Sequence, residues 1–342
     1  MENTRDDGID LLKGLFVIGM VWGHLVDFWS TTNGPAGNIY YVLSIVTFSG
    51  FLFCFGYAMQ LSYTRGRLTL THTLSNTARI LIAFYISGLA YELIVHAKDW
   101  TPLDLRNVLI IKTLPELSEF LPAFALTSLI GSLLMRPLNW IIDSWPRLGL
   151  ATVILVLTPF LPYAWVQSPQ LCMLIGCELK VAVSFPLLHY FVFFLLGMAV
   201  AKREFRFSWG LAMAGVVSMV IYRYVHYNVM QAQRFPPDTQ WLVGGIIFLM
   251  VWYSAARLLE RVPFIRNLLA PIGRNTLFYY LFTNLLFFAG RKSFDNYHFG
   301  FLSSFLWAFV VLLVGYFFIS IVRPASANKT IPKAVETAPP KS

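Results

Sequence analysis

The sequence predicts an all-α, polytopic transmembrane helical bundle of about ten spans, and three observations carry that prediction. Of 342 residues, 57% are hydrophobic and only 13% charged, and the mean hydropathy is +0.63. Apolar stretches recur near the length of about 20 residues that an α-helix needs to cross a bilayer core. The remaining charges gather between those stretches, with Lys and Arg weighted to one side.

The segments fall at approximately 11–29, 39–63, 79–96, 119–135, 147–166, 184–201, 208–228, 239–257, 268–290 and 300–322. The first does not read as a signal peptide: Asp6, Asp7 and Asp10 flank it beside Arg5, and no small-residue cleavage site follows. The fourth is the least regular. Pro115, Glu116, Glu119 and Pro122 crowd its start, and the amphipathic stretch 103–114 can lie on the surface before it. No stretch between spans has the periodicity of a soluble core, so 1–323 reads as one membrane domain. Residues 324–342, rich in proline and small polar side chains, are expected to form a disordered cytoplasmic tail.

Ten spans divide the 26 Lys and Arg unequally. Lys98, Arg106, Lys112, Lys180, Arg223, Arg234, Arg291 and Lys292 lie on one side, and the others share the side of the two termini. The positive-inside rule then puts both termini in the cytoplasm and accounts for the net charge of +9 with no nucleic-acid partner. The three cysteines cannot build an ordinary zinc site, and no metal is expected. Cys172 and Cys177 fall in one non-cytoplasmic loop, as a disulfide or as two buried thiols.

Ionisable groups inside the spans are the informative residues, because lipid makes them expensive. His24 lies deep in the first span, with Lys13 eleven residues before it. Eleven steps of about 100° return to nearly the same helix face, roughly 16 Å along the axis. Asp10 is placed to pair with Lys13. Asp27, three residues past His24, either holds one imidazole nitrogen and raises the basicity of the other or marks the aqueous end of the span. Arg79 opens the third span and, with Lys13, suits a cytoplasm-facing pocket for phosphates. Glu116 and Glu119 enter the fourth span, where either carboxylate can meet the histidine or an acceptor hydroxyl. Glu92 with His96, His189, and Arg223 with His226 are further candidates, each equally readable as packing or interfacial anchoring. Asn284 in the ninth span needs a partner inside the bundle.

These residues resemble the acyltransferase family 3 membrane proteins. The first-span pattern of that family, an acidic residue, a cation, ten residues and a histidine, stands here as Asp10, Lys13 and His24. The likeness continues in Phe48-Ser49-Gly50-Phe51, Arg79, Phe194-Leu195-Leu196-Gly197-Met198 and Ile272-Gly273-Arg274-Asn275-Thr276-Leu277. Three positions depart from it: lysine replaces the usual arginine at 13, the paired arginines of the third span are thinned to Arg79, and Tyr280-Leu281-Phe282-Thr283 lacks the late histidine.

The resemblance implies a multi-pass enzyme of the bacterial inner membrane. It would take an acyl group, acetyl first among the candidates, from cytoplasmic acetyl-CoA or another acyl-CoA to a hydroxyl of a cell-envelope glycan or glycolipid. His24, Asp27 and Glu119 are then the expected catalytic set, and Lys13 and Arg79 the donor-binding set. A different class, a proton-coupled transporter or flippase of a lipid-linked glycan, would use His24, Asp27 and Glu119 as a relay. A relay requires no cation at the inner mouth on the same face as His24.

Overall fold

The computed structural model describes residues 6–30, 34–96, 100–178, 184–205, 207–228, 232–293 and 298–322. Fourteen helices occupy these residues: α1 (Asp7–Trp29), α2 (Pro35–Thr64), α3 (Leu70–Ile94), α4 (Pro102–Leu109), α5 (Leu121–Leu133), α6 (Met135–Ile142), α7 (Trp145–Leu157), α8 (Pro169–Ile175), α9 (Leu187–Lys202), α10 (Trp209–Asn228), α11 (Thr239–Leu259), α12 (Pro263–Arg274), α13 (Thr276–Ser293) and α14 (Phe301–Val322). The described residues contain no strand beyond two isolated bridges. The expected tail, 324–342, lies outside them.

Each of the ten predicted segments holds a helix: α1, α2, α3, α5, α7, α9, α10, α11, α13 and α14 in turn. By length and composition alone α1, α2, α3, α11 and α14 can each cross a membrane, and α5 with α6 makes a sixth candidate bent by 80°. That bend has a local cause. Pro137, third in α6, has no N–H to continue the ladder of α5. The ninth segment also differs from expectation, being cut at Asn275 into α12 and α13. Pro271 weakens the last turn of α12, and the Asn275 side chain donates to the Pro271 carbonyl at 2.9 Å, competing with helix continuation. The amphipathic stretch before the fourth segment becomes the short surface helix α4, closed by a capping box between Thr101 and Asp104.

Helix α1 is the axis of the bundle, packed by α2, α11, α12, α13 and α14. Lipid is as apolar as a leucine side chain, so close packing and interhelical hydrogen bonds must hold such helices together. Small residues let backbones meet. Gly56 of α2 lies on the Phe194 carbonyl of α9 while Gly197 of α9 lies on the Phe53 carbonyl of α2, and any side chain at either would collide with backbone. Gly273 sits in the same way on the Asp10 carbonyl, drawing α12 onto the start of α1. Polar pairs add to this: Gln60 with Asn139 at 3.0 Å, Thr73 with Ser132 at 3.0 Å and the Trp22 indole with Ser304 at 3.1 Å.

The end of the bundle that carries the N-terminus is tied by ions. Asp6 caps α1 through the Ile9 amide and receives both terminal nitrogens of Arg257, at 2.8 and 2.9 Å. Burial works against the Asp6 carboxylate, but the Arg257 guanidinium and the Tyr57 hydroxyl outweigh it and hold its pKa below the ordinary value of 3.8. At the other end Cys172 and Cys177 form a disulfide.

Candidate active site

Glycines at 19 and 23 thin one face of α1 just before His24, and the space they leave becomes a cavity of about 470 Å³. Its walls carry His24 and Asp27 from α1, Tyr40, Ser44 and Thr47 from α2, Glu116 and Glu119 from the turn before α5, and Arg234 from the loop before α11. His24, Asp27 and Glu119 are therefore brought together. Glu119 is buried, and one of its carboxylate oxygens has no protein partner. It stands in the turn that precedes α5, two residues before that helix begins, where the sequence places the start of the fourth segment.

The imidazole of His24 meets the edge of Phe287 with ring centroids 6.0 Å apart. Its Nδ1 is buried with no hydrogen-bond partner. Asp27 makes no hydrogen bond to it among the described residues and instead faces the Tyr40 hydroxyl. Geometry explains this: three residues advance a helix by about 300°, which turns Asp27 about 60° away from His24 and toward α2. Asp27 is also exposed.

The turn bearing Glu119 is fixed residue by residue. Glu116 accepts from Arg291 at 2.6 Å and from Tyr91 at 3.2 Å. Leu117 holds a left-handed φ of 63°, and its carbonyl accepts from the Tyr280 hydroxyl. The Ser118 hydroxyl donates to Ser87 at 2.7 Å, and Asn284 donates to the same Ser87 oxygen at 2.9 Å. Asn284 thus finds the interior partner that its depth requires. Among residues that rarely adopt positive φ, such a turn persists only where its surroundings determine it.

A second cavity, of about 280 Å³, opens from the N-terminal end of α1. Lys13 and Arg274 stand in its wall, and the rest is mainly apolar, including Cys54, Phe55, Ile80, Phe124, Leu277 and Tyr280. A third, of about 200 Å³, shares Lys13 and adds Asp6, Asp10, Tyr57, Arg65 and Arg67. Asp10 lies 3.7 Å from Lys13, the pairing the spacing suggested, and its other oxygen lies 3.1 Å from Arg274. Arg79 is exposed and lines none of the three, although its neighbour Ile80 lines the second. The first and second cavities share Met20, Phe51 and Phe120. These three side chains are the partition between the chamber of His24 and that of Lys13.

The remaining sequence candidates lie away from the chamber. Glu92 and His96 pair with each other at 3.6 Å, and His189 is buried against the Thr158 hydroxyl at 2.7 Å. Arg223 reaches Asn38 at 2.7 Å, while His226 stacks on Tyr222 with centroids 4.0 Å apart. Two residues that sequence reasoning passed over, Tyr40 and Arg234, are in the chamber. Arg234 was legible only as one of eight minority-side cations; its Arg-Phe-Pro-Pro-Asp context was the signal of a stiff, turned loop.

The arrangement is suited to proton transfer at a half-buried imidazole that lines the first cavity. No group of three metal-ligating side chains occurs among the described residues. No curated protein matches the chain. A family model described as an acyltransferase domain matches residues 6–322 and so takes in both chambers, their partition and every group that lines them. The chain accordingly belongs to acyltransferase family 3 and is an integral membrane acyltransferase.

Proposed function

We propose that this enzyme takes an acetyl or other short acyl group from cytoplasmic acyl-CoA and delivers it to a hydroxyl of a cell-envelope glycan or glycolipid, from a bacterial inner membrane with both termini inside. The observation that carries this reading is the shared partition: a donor chamber with Lys13 at its wall and an acceptor chamber with His24 meet at Met20, Phe51 and Phe120.

Coenzyme A offers phosphates at one end and a thioester at the end of a thin arm. Lys13 meets a phosphate as a point charge, where arginine would grip it with two parallel bonds, and Arg65 and Arg67 extend the basic mouth. Arg79, exposed on α3 beside Ile80, is assigned to the outer edge of that mouth. The apolar chamber behind accepts the arm and leads the thioester to the partition. Past it, His24 takes the proton of an acceptor hydroxyl, or attacks the thioester itself and passes the acyl group on. Glu119 and Asp27 hold the acceptor by its other hydroxyls. Six ionisable groups in one chamber, His24, Asp27, Tyr40, Glu116, Glu119 and Arg234, favour a polar acceptor on that side.

Purified protein given labelled acetyl-CoA is expected to release or transfer acetate. His24→Ala lowers that turnover about 10²–10⁴-fold, the range for losing a general base. Lys13→Ala instead raises the KM for acetyl-CoA roughly tenfold or more, the worth of one charged hydrogen bond, and leaves kcat within a few-fold. Equal activity of wild type and His24→Ala would remove this reading.

A further inference from the structure

We infer that Arg234 is a catalytic residue of the acyl transfer, the group that stabilises the oxyanion formed on the thioester carbonyl. The inference rests on the acyl-transfer reading above.

The loop that carries Arg234 is built to hold it still. Asp238 caps α11 by accepting from the Trp241 amide at 2.7 Å, and its second oxygen accepts from the Gln233 amide at 3.0 Å. The Asp238 amide returns a bond to the Gln233 carbonyl at 3.1 Å, and Pro236 and Pro237 stiffen the interval. The guanidinium lies between rings, 5.4 Å from the Phe185 centroid and 4.7 Å from that of Phe235, and one terminal nitrogen donates to the Tyr40 hydroxyl at 3.3 Å.

Two facts set it apart from the ion-paired arginines of the bundle. No carboxylate lies within ion-pair distance of it among the described residues, whereas Arg257, Arg274 and Arg291 are each bound to acids. Its Nε is buried with no partner. Yet it lines the same chamber as His24 and Glu119, near enough for its charge to act on both. A fixed cation with no carboxylate bound directly to it, sharing a ring-walled chamber with a base, is placed for a negative charge that exists only briefly.

Acyl transfer supplies one. The nucleophile oxygen, losing its proton to His24, bonds to the carbonyl carbon, and the C=O pair moves onto oxygen. That oxyanion is held by the Arg234 guanidinium. When the pair returns, the C–S bond breaks, and the thiolate of coenzyme A takes the proton from the imidazolium. If His24 is itself acylated first, its imidazole bonds to the carbonyl carbon and the thiolate leaves with the ring's other N–H proton. The acceptor oxygen then displaces the imidazole as its proton passes to that freed ring nitrogen. Both half-reactions put the negative charge on the same carbonyl oxygen, so the assignment holds by either route.

The competing role for Arg234 is to bind the acceptor, and the nucleophile used distinguishes the two. With acetyl-CoA and only water or glycerol as acceptor, Arg234→Gln is expected to lower kcat about 10²–10³-fold, the usual loss for one oxyanion donor, with the KM for acetyl-CoA unchanged. Arg234→Lys, which keeps the charge but not the fork, should recover part of that loss, and a wild-type melting temperature in both variants excludes misfolding as its cause. Wild-type rates with these small nucleophiles in Arg234→Gln, whether or not transfer to a glycan is impaired, would overturn the inference. A wild-type enzyme that turns over no acyl-CoA would instead overturn the reading on which it rests.

Discussion

The two chambers that meet at Met20, Phe51 and Phe120 are built from different materials. The one beside Lys13 is walled almost wholly by helices, with residues of α1, α2, α3, α5, α12 and α13, and its charges stand at the mouth. The one beside His24 takes only α1 and α2 from the helices. Its remaining wall comes from the 114–120 turn, Phe185 and the Arg234 loop, and His24, Asp27, Tyr40, Glu116, Glu119 and Arg234 in it are ionisable. The contrast separates two tasks: an apolar sleeve needs only helices at the right spacing, but chemistry needs polar groups aimed at one point, and connecting segments supply those directions more freely.

Substitutions at the partition, at the N-terminal ion lock and behind the His24 chamber sharpen this division. The largest effect of the three is expected at the partition. Met20→Trp should narrow the passage and lower kcat/KM for acetyl transfer roughly tenfold or more, because misplacing a reacting group by about an ångström costs on that scale. Binding of coenzyme A itself, measured by calorimetry, should stay at the wild-type level. Met20→Ala should open the passage and admit longer acyl-CoA donors. Unchanged acetyl transfer in Met20→Trp would mean that the thioester does not travel between the chambers.

A middle-sized effect is expected where ions lock the N-terminal end beside the Lys13 mouth. The Asp6 carboxylate has a lowered pKa in the folded protein, so its contribution is complete above the ordinary value of 3.8 and fades as pH falls through the depressed one. Asp6→Asn should remove about 2 kcal/mol, the worth of a charged hydrogen-bond pair, at neutral pH and progressively less in acid. Thermal unfolding in detergent at several pH values reads this directly. A gap between wild type and variant that widens in acid would contradict the assignment.

The smallest effect tests whether the turn behind Glu119 matters to chemistry. Tyr280→Phe removes the hydroxyl that holds the Leu117 carbonyl. It should cost about 1 kcal/mol of stability and lower kcat a few-fold with an unaltered donor KM. A shift in donor KM alone would move Tyr280 from the acceptor chamber's support to the wall of the sleeve, which it also lines.

The cavity beside Lys13 was largely legible in the sequence, and the chamber of His24 only in part. Periodic apolar segments locate helices, and the eleven-residue step from Lys13 to His24 places both on one face of α1, where the cavities now stand. Glu119 could be named because acids at a span entrance are conspicuous. Arg234 could not, since nothing local in an aperiodic loop states which cavity it enters. The orientation of Asp27 was equally hidden: the step from 24 to 27 permits contact, but Tyr40, distant in sequence, decides it. Arg79 shows the opposite failure. It opens an apolar run as expected, yet the face of α3 that turns inward is that of its neighbour Ile80. Spacing along a single helix survives folding, whereas the choice of a partner on another element does not follow from it.

In the proposed cycle an acyl group enters by the Lys13 end and leaves on the far side past His24. Sealed inside-out membrane vesicles given radiolabelled acetyl-CoA from outside test it most directly. Label should accumulate on glycans facing the lumen with the wild-type enzyme and fail to do so with His24→Ala. Label confined to outward-facing glycans, or appearing in the lumen equally with both proteins, would contradict it.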